Sequence, residues 1–354
     1  MSRSPEPWIV AAPEEAGFRP DLAAKLEAGV ASGLLRDLHA VLVLKDGRLV
    51  LERYWSGPDE AWGRPLGEVA FGSAVLHDLR SVTKSVVGLL YGIALEQGLV
   101  PPPEAPLLAL FPEYPDLLAD PARAGLTVGH ALTMTLGLDW DEQRSYADPE
   151  NSEIAMERAP DRFRFVLERP VVAAPGARWT YSGGATALIG GLLVRGTGRS
   201  LPDFGREALF EPLGIQDLEW NGGWDGASAA SGLRLRPRDL LRIGALILGG
   251  GVLGGRRIVP SAWLDASFAP AAATGDGLEY GRFWFLGQAP LPGGRNGRWA
   301  AGFGNGGQRL WVMPEQGLAV AILSGRYNAA DAWVTPTRLW REIVLANLDP
   351  GALA

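Results

Sequence analysis

The 354-residue chain has no cysteine, only three histidines and only three lysines. Without thiols it can form no disulfide, no thiol nucleophile and no cysteine-based metal site. His39, His77 and His130 are scattered without metal-ligand spacing, so neither a metal nor a cofactor is expected. No apolar run is long enough to span a membrane, and Met1 to Pro7 shows no apolar leader core. A soluble cytoplasmic protein is therefore the default. A net charge of −7 argues against nucleic acid or an anionic membrane surface as partner. No Gly-x-Ser-x-Gly elbow is present, which disfavours an α/β-hydrolase. Gly302-Phe303-Gly304-Asn305-Gly306-Gly307 matches G-x-G-x-x-G, but a strand follows it where a dinucleotide site needs a helix.

The scarcity of lysine is the most informative of these. The other 30 of the 33 basic residues are arginine. Lys25 and Lys45 stand in polar surroundings and are expected to be exposed, whereas Lys84 stands in an apolar helix opened by Ser81. Arginine cannot give up its proton at accessible pH, and lysine can. Ser81 and Lys84 are three apart, which puts them on one helix face. Ser81 is expected to cap the helix with its hydroxyl. Desolvation is expected to lower the pKa of Lys84, so that its amine can take the hydroxyl proton.

A hydrophobic fraction of 47% and a charged fraction of 21% fit a globular chain of one large or two ordinary domains. Residues 14–34 read as a helix and His39 to Leu44 as a strand. Asp46-Gly47 reads as a hairpin turn and Leu49 to Trp55 as the return strand. Residues 56–75 read as a loop. Helices are expected from Ser81 to Gly98, over 153–168, Ala185 to Val194, 203–213 and 237–248, with a short capped helix over Thr127 to Met134. Gly137 to about Ser152 reads as a long loop, with Asp139, Asp141 and Glu142 solvated on it. Gly307 to Met313 and Leu318 to Leu323 read as paired strands, followed by a helix over 335–347. The expected fold class is α/β (α+β). An antiparallel sheet drawn from both chain ends (1–75 and 228–354) is flanked by helices. A mostly helical domain (76–227) is inserted, and the site lies at the junction.

Ser81-x-x-Lys84, then Tyr181-Ser182-Gly183, then Gly304-Asn305-Gly306-Gly307-Gln308 before a closing strand form an ordered set. In this order the motifs resemble the penicillin-recognising serine hydrolases, within them the class C β-lactamase-like branch, and most nearly its 6-aminohexanoate-oligomer hydrolase and esterase members. The resemblance covers roughly residues 35–345 and includes Leu132 to Trp140 and Gly232 to Asp239. It implies a β-lactamase/transpeptidase-like fold. It also implies a serine hydrolase that cleaves a small ester or amide through an acyl-enzyme on Ser81, activated by Lys84 and Tyr181. The oxyanion hole would be the backbone N–H groups of Ser81 and Gln308. Asn305, Gly306, Gly307 and Gly183 would line the substrate site; Trp140 and Tyr146, on the long loop, either line the acyl pocket or pack as ordinary aromatics. The set departs from the family pattern at two positions. Gly183 stands where asparagine is common, and Asn305 where a lysine or histidine is common. Both departures favour neutral esters or small amides. β-Lactamase or D-Ala-D-Ala carboxypeptidase activity, and a non-catalytic binding protein of the same fold, are the alternative readings. The expected partner is a small-molecule ester or amide, and a homodimer is left open.

Overall fold

The computed structural model describes residues 8–222 and 226–352. The segment Met1 to Pro7 lies outside the described residues.

The core is built on a nine-stranded sheet. Leu38–Lys45 lies near one end of the chain and Leu318–Ser324 near the other, and the two pair antiparallel, with Val43 opposite Val320 and Leu42 opposite Ala321. Arg48–Tyr54 flanks the first of these strands. Gln308–Met313, Arg295–Gly304 and Phe285–Leu291 continue the sheet beyond the second. Ile9–Val10 adds the one parallel edge strand among those described. Every residue of Leu38–Lys45 and of Leu318–Ser324 is buried, because helices cover both faces. This corrects the exposed setting expected for Lys45, which is buried and pairs with Asp46.

From Ala40 onward side chains alternate between the faces with a period of two. An irregularity where Ser324 pairs with Leu38 turns Leu38 to the face opposite Ala40. Ala40, Leu42 and Leu44 join one core, together with Ala319, Ala321 and Leu323. Leu38, Val41 and Val43 join the other, together with Leu318, Val320 and Ile322. The first core holds the helices Val82–Glu96, Gly183–Thr197 and Pro237–Leu248. The second takes Leu22–Ala31 and the C-terminal turns. At about 25 cal/mol per Å² of apolar surface removed from water, two such layers dominate the stability of the sheet.

Several sequence expectations are corrected. The helix expected over 14–34 is a short turn, Glu14–Ala16, followed by Leu22–Ala31. Gly17, at φ 76°, breaks it. The helix expected over 153–168 is two, Ser152–Arg158 and Arg162–Leu167, because Pro160 cannot continue the first. The loop expected over 56–75 contains a hairpin, Ser56–Ala61 with Arg64–Ala70. Its two-residue turn, Trp62-Gly63, has φ 49° and 82°. That is the backbone a tight hairpin needs, but Trp62 gives no sign of it.

Candidate active site

Helix Val82–Glu96 starts at Ser81 and is buried from Val82 to Ala94. The sheet can approach its first turn closely because Gly302 and Gly304 lack side chains. A methyl at 302 would lie 2.9 Å from Ser85 Oγ, and one at 304 would meet the Leu79 carbonyl. The residue before Ser81 is held in an unusual backbone conformation. Arg80 has φ 48°, a region costly for a non-glycine residue. Asp78 holds it there by accepting from the Arg80 N–H at 3.0 Å, and Asp78 also accepts from the Trp62 N–H at 2.6 Å. The Arg80 guanidinium is tied to Glu60 at 2.6 Å and lies 4.6 Å from the Tyr327 ring centroid.

Ser81 is the residue before the helix, as expected, but its hydroxyl makes no capping bond. It instead accepts from Lys84 Nζ at 3.0 Å. The hydroxyl is thus turned toward an ammonium and away from the backbone.

Lys84 is 1% exposed. Its Nζ also donates to the Ala230 carbonyl at 3.0 Å. It lies 3.5 Å from Glu153 Oε2 and 4.8 Å from the Tyr181 ring centroid. The expected neutral amine is corrected. Burial presses against the charge, but Glu153, Tyr181 and Glu142 outweigh it and hold the lysine above its ordinary value. Lys84 rests as a cation. In Tyr181 burial raises the phenol, partly offset by the Lys84 charge and by a hydrogen bond with Ser81. Tyr181 is half-buried and lies 6.0 Å from the Phe285 ring, nearly parallel to it.

Helix Gly183–Thr197 follows directly, capped by Ser182, whose Oγ accepts from the Ala185 N–H at 3.0 Å. The Gly183 N–H donates to Glu142 Oε1. Glu142 also accepts from Trp140 Nε1 at 2.5 Å and from the Tyr146 hydroxyl at 3.1 Å. The expectation that Glu142 is solvated is therefore corrected: it is buried, whereas Asp139 is exposed. Burial and the nearby Glu153 push its carboxyl up to about 8. Trp140 is 6% exposed and packs against Gly184, which places it beneath the tyrosine helix as a support for Glu142. Tyr146 reaches the same carboxylate from the loop, and burial raises its phenol well above the ordinary value.

The hairpin turn between Arg295–Gly304 and Gln308–Met313 carries the third motif, and its Gly304 lies against the Leu79 carbonyl and Arg80, just before Ser81. Gly306 and Gly307 have φ 86° and 98°, which only glycine adopts without strain. The Gln308 side chain donates to the Asn305 and Ser324 carbonyls at 3.1 and 2.7 Å and accepts from the Ser324 N–H. Asn305 Oδ1 accepts from the Asn328 N–H at 3.0 Å. Buried Arg309 donates to the carbonyls of Gly304 and Gln308 at 3.0 and 2.8 Å, which fixes the turn.

The sequence reading missed Glu153, Asp78 and Arg309. Asn151 was a usable signal for the first, since it caps the helix that presents Glu153 by accepting from the Glu153 and Ile154 N–H groups. The fold also gathers His39, Asp59 and His77 into a buried cluster within 4.8 Å, which sequence spacing did not show. Most of its polar atoms bond one another and their neighbours, while buried His39 Nε2 has no hydrogen-bond partner among the described residues. His39 Nδ1 meets His77 Nε2 at 2.8 Å, and His77 Nδ1 meets the Asp78 carbonyl at 2.9 Å. Asp59 accepts from Tyr327 and Arg234. With its Nδ1–H on the Asp78 carbonyl, His77 accepts from His39, and both rings are neutral. A cavity of about 410 Å³, lined by residues including Ile93, Gln97 and Phe204, lies at the other end of helix Val82–Glu96, away from this chemistry.

The Beta-lactamase family model matches residues 28–344. The 6-aminohexanoate-dimer hydrolase of Paenarthrobacter ureafaciens is 26% identical over 327 residues, 85% of this chain and 74% of that protein. Esterase EstB of Burkholderia gladioli is 29% identical over 207 residues, 55% of this chain and 51% of the esterase. A solved structure described as a putative 6-aminohexanoate-dimer hydrolase from Bacillus anthracis superposes with a TM-score of 0.72 at 18% identity. That match covers 96% of this chain and 88% of the other. Among the described residues no helix is long and apolar enough to cross a membrane. With the family match running through all three motifs, this chain belongs to the Beta-lactamase family and is a serine hydrolase.

Proposed function

We propose that the chain cleaves a small ester or amide through an acyl-enzyme on Ser81, with Lys84 and Tyr181 handling the proton. The observation that carries this reading is the 3.0 Å contact between Lys84 Nζ and Ser81 Oγ, deep in the protein and beside the Tyr181 ring.

The resting charges set the order of events. Lys84 as an ammonium donates to Ser81 Oγ, so the serine proton is directed to the Tyr181 oxygen. The pair is competent once it has lost one proton, leaving a Tyr181 phenolate beside the Lys84 ammonium. As Oγ attacks the acyl carbon, the Oγ–C bond forms, the carbonyl π pair moves onto its oxygen and the serine proton passes to the phenolate. Because the two groups titrate together, the proton belongs to the pair. Collapse of the tetrahedral intermediate expels an alcohol or amine, which takes its proton through Tyr181. Water then attacks the acyl-enzyme and returns the proton by the same route. The N–H groups of Ser81, at the helix start, and Gln308, at the strand start, are the proposed oxyanion donors. Removing one such donor typically costs about 100- to 1000-fold in kcat.

The site sits between the sheet and the helical segment 76–227. Gly183 leaves room for the Glu153 carboxyl group, and Gly306 and Gly307 allow the left-handed turn that leads into Gln308. Asn305 offers an amide that is already engaged with Asn328, and no lysine or histidine stands there to pair with a substrate carboxylate. This supports neutral acyl substrates over β-lactams or peptides, in line with the ester and amide chemistry in the names of the relatives.

The test is hydrolysis of a chromogenic short-chain ester by wild type and Ser81→Ala, with mass spectrometry of the acyl adduct. The expected outcome is at least a 1000-fold loss in kcat and no adduct in the variant, in the range found for lost nucleophiles. Equal rates would overturn the assignment of Ser81. Faster turnover of a cephalosporin reporter than of the ester would favour the β-lactamase reading.

A further inference from the structure

Gly183 does more than omit an amide. A methyl at this position would overlap the Glu153 carboxyl group, and its three nearest contacts would all be Glu153 atoms. The space opened by the glycine is filled by a carboxylate from another helix. Glu153 is 3% exposed. Its Oε1 accepts from Ser231 Oγ at 3.0 Å, and Ser231 Oγ in turn accepts from Trp62 Nε1 at 3.1 Å. Its Oε2 accepts no hydrogen bond among the described residues and lies 3.5 Å from Lys84 Nζ. A buried carboxylate oxygen is costly unless it faces a cation, and here it faces the one buried lysine in the candidate site.

We propose that Glu153 is the positioning residue for Lys84, anchoring the ammonium in line with Ser81 Oγ from the space that Gly183 leaves open. The inference rests on the acyl-enzyme reading of Ser81. Nζ donates to Ser81 Oγ and the Ala230 carbonyl, and the Glu153 carboxylate stands 3.5 Å behind it as an ion pair. Charge as well as hydrogen bonding therefore holds the amine in place when the serine proton moves. Ser231 and Trp62 fix the carboxylate from behind. Glu153 acts through Lys84 and does not touch the substrate. Among the groups around the ammonium it contributes most to keeping it charged, ahead of Tyr181 and Glu142.

The inference is tested by ester hydrolysis over a pH range with wild type, Glu153→Ala, Glu153→Gln, Gly183→Ala and the Glu153→Ala/Gly183→Ala double variant, with melting curves for each. Ser81→Ala serves as the control for the underlying reading. Glu153→Ala is expected to lower kcat by about 30- to 300-fold with KM within about threefold, the pattern of a group that matters in the transition state. Its limb of the pH–kcat profile governed by the Lys84/Tyr181 pair is expected to move down by about one pH unit or more, since the ammonium loses its strongest supporting charge. Glu153→Gln, which keeps the shape without the charge, is expected to show the same pH displacement with a smaller loss in kcat. Gly183→Ala is expected to lower kcat by displacing the carboxylate, and to cost nothing further in the Glu153→Ala background. If Ser81→Ala abolishes activity while Glu153→Ala and Glu153→Gln keep the wild-type kcat and pH profile, the role of Glu153 fails and the acyl-enzyme reading stands. If Gly183→Ala costs the same with and without Glu153, the link between the two residues fails. If Glu153→Ala does not fold, the Glu153→Gln profile and the Gly183→Ala loss decide.

Discussion

Lys84 draws its charge from its surroundings. In an apolar helix it reads as a lysine with a weakened hold on its proton. In the fold, the Glu153 carboxylate stands 3.5 Å from its Nζ, on the helix that follows a segment the sequence presents as a polar loop. Glu142 shows the reverse effect. Burial and the Glu153 charge keep its proton on to about pH 8, against an ordinary value near 4.5. Its folded-state pKa is raised, so its contribution to stability is complete below about pH 4.5 and is lost as the pH rises to about 8. At about 1.4 kcal/mol for each tenfold change in proton affinity, the loss is measurable. Glu142→Gln is expected to flatten the fall in melting temperature between pH 5 and 8. An unchanged slope would show that Glu142 is ionised throughout.

At the scale of elements, the geometry of the Ser81 turn depends on residues far from it in sequence. The strained Arg80 backbone, the Asp78 carboxylate and the Trp62-Gly63 turn form one assembly, since Asp78 accepts from both Arg80 and Trp62. Asp78→Ala leaves two N–H groups without this acceptor. At roughly 1–3 kcal/mol for each unsatisfied buried donor, the expected destabilisation is about 2–6 kcal/mol by denaturant titration. A kcat loss of at least about tenfold is also expected, as Ser81 loses its placement. Unchanged kcat in a folded variant would separate Arg80 strain from function.

The same scale shows what sequence could and could not reveal. Ser81, Lys84 and Tyr181 were legible because their spacing and order are local patterns. The central strands were legible because burial on both faces makes them apolar throughout. The Ser56–Ala61 and Arg64–Ala70 hairpin was not, since its turn forces a tryptophan into a glycine-like conformation. Glu153 was not, since its role exists only once Gly183 and Ser231 are brought beside it.

For the whole molecule, both ends of the chain close the structure. Phe18 pairs with Leu348, Arg19 N–H donates to the Asn347 carbonyl, and Asp349 N–H donates to the Gly17 carbonyl. Between sheet and site lies the His39, Asp59 and His77 cluster. Burial, partly offset by Asp59, pulls His39 down to about 4 and His77 down to about 3. Both values are depressed, so the stabilisation from these neutral rings is present above about pH 6.5 and is lost as the pH falls through 4 and then 3. Thermal melts from pH 7 to 4 are expected to show a steep acid loss that a His39→Gln/His77→Gln variant reduces. An equally steep loss in the variant would place the acid sensitivity elsewhere.

The pairing of Leu38–Lys45 with Leu318–Ser324 also has a consequence for translation. The early strand leaves the ribosome with one edge covered by Arg48–Tyr54, and the partner for its other edge, Leu318–Ser324, lies far along the chain from it. At roughly 5–20 residues per second, that apolar edge waits on the order of tens of seconds. A ribosome that stalls before Leu318 therefore releases or holds a chain with a sticky, half-finished sheet, and the nascent chain needs shelter that the completed enzyme does not.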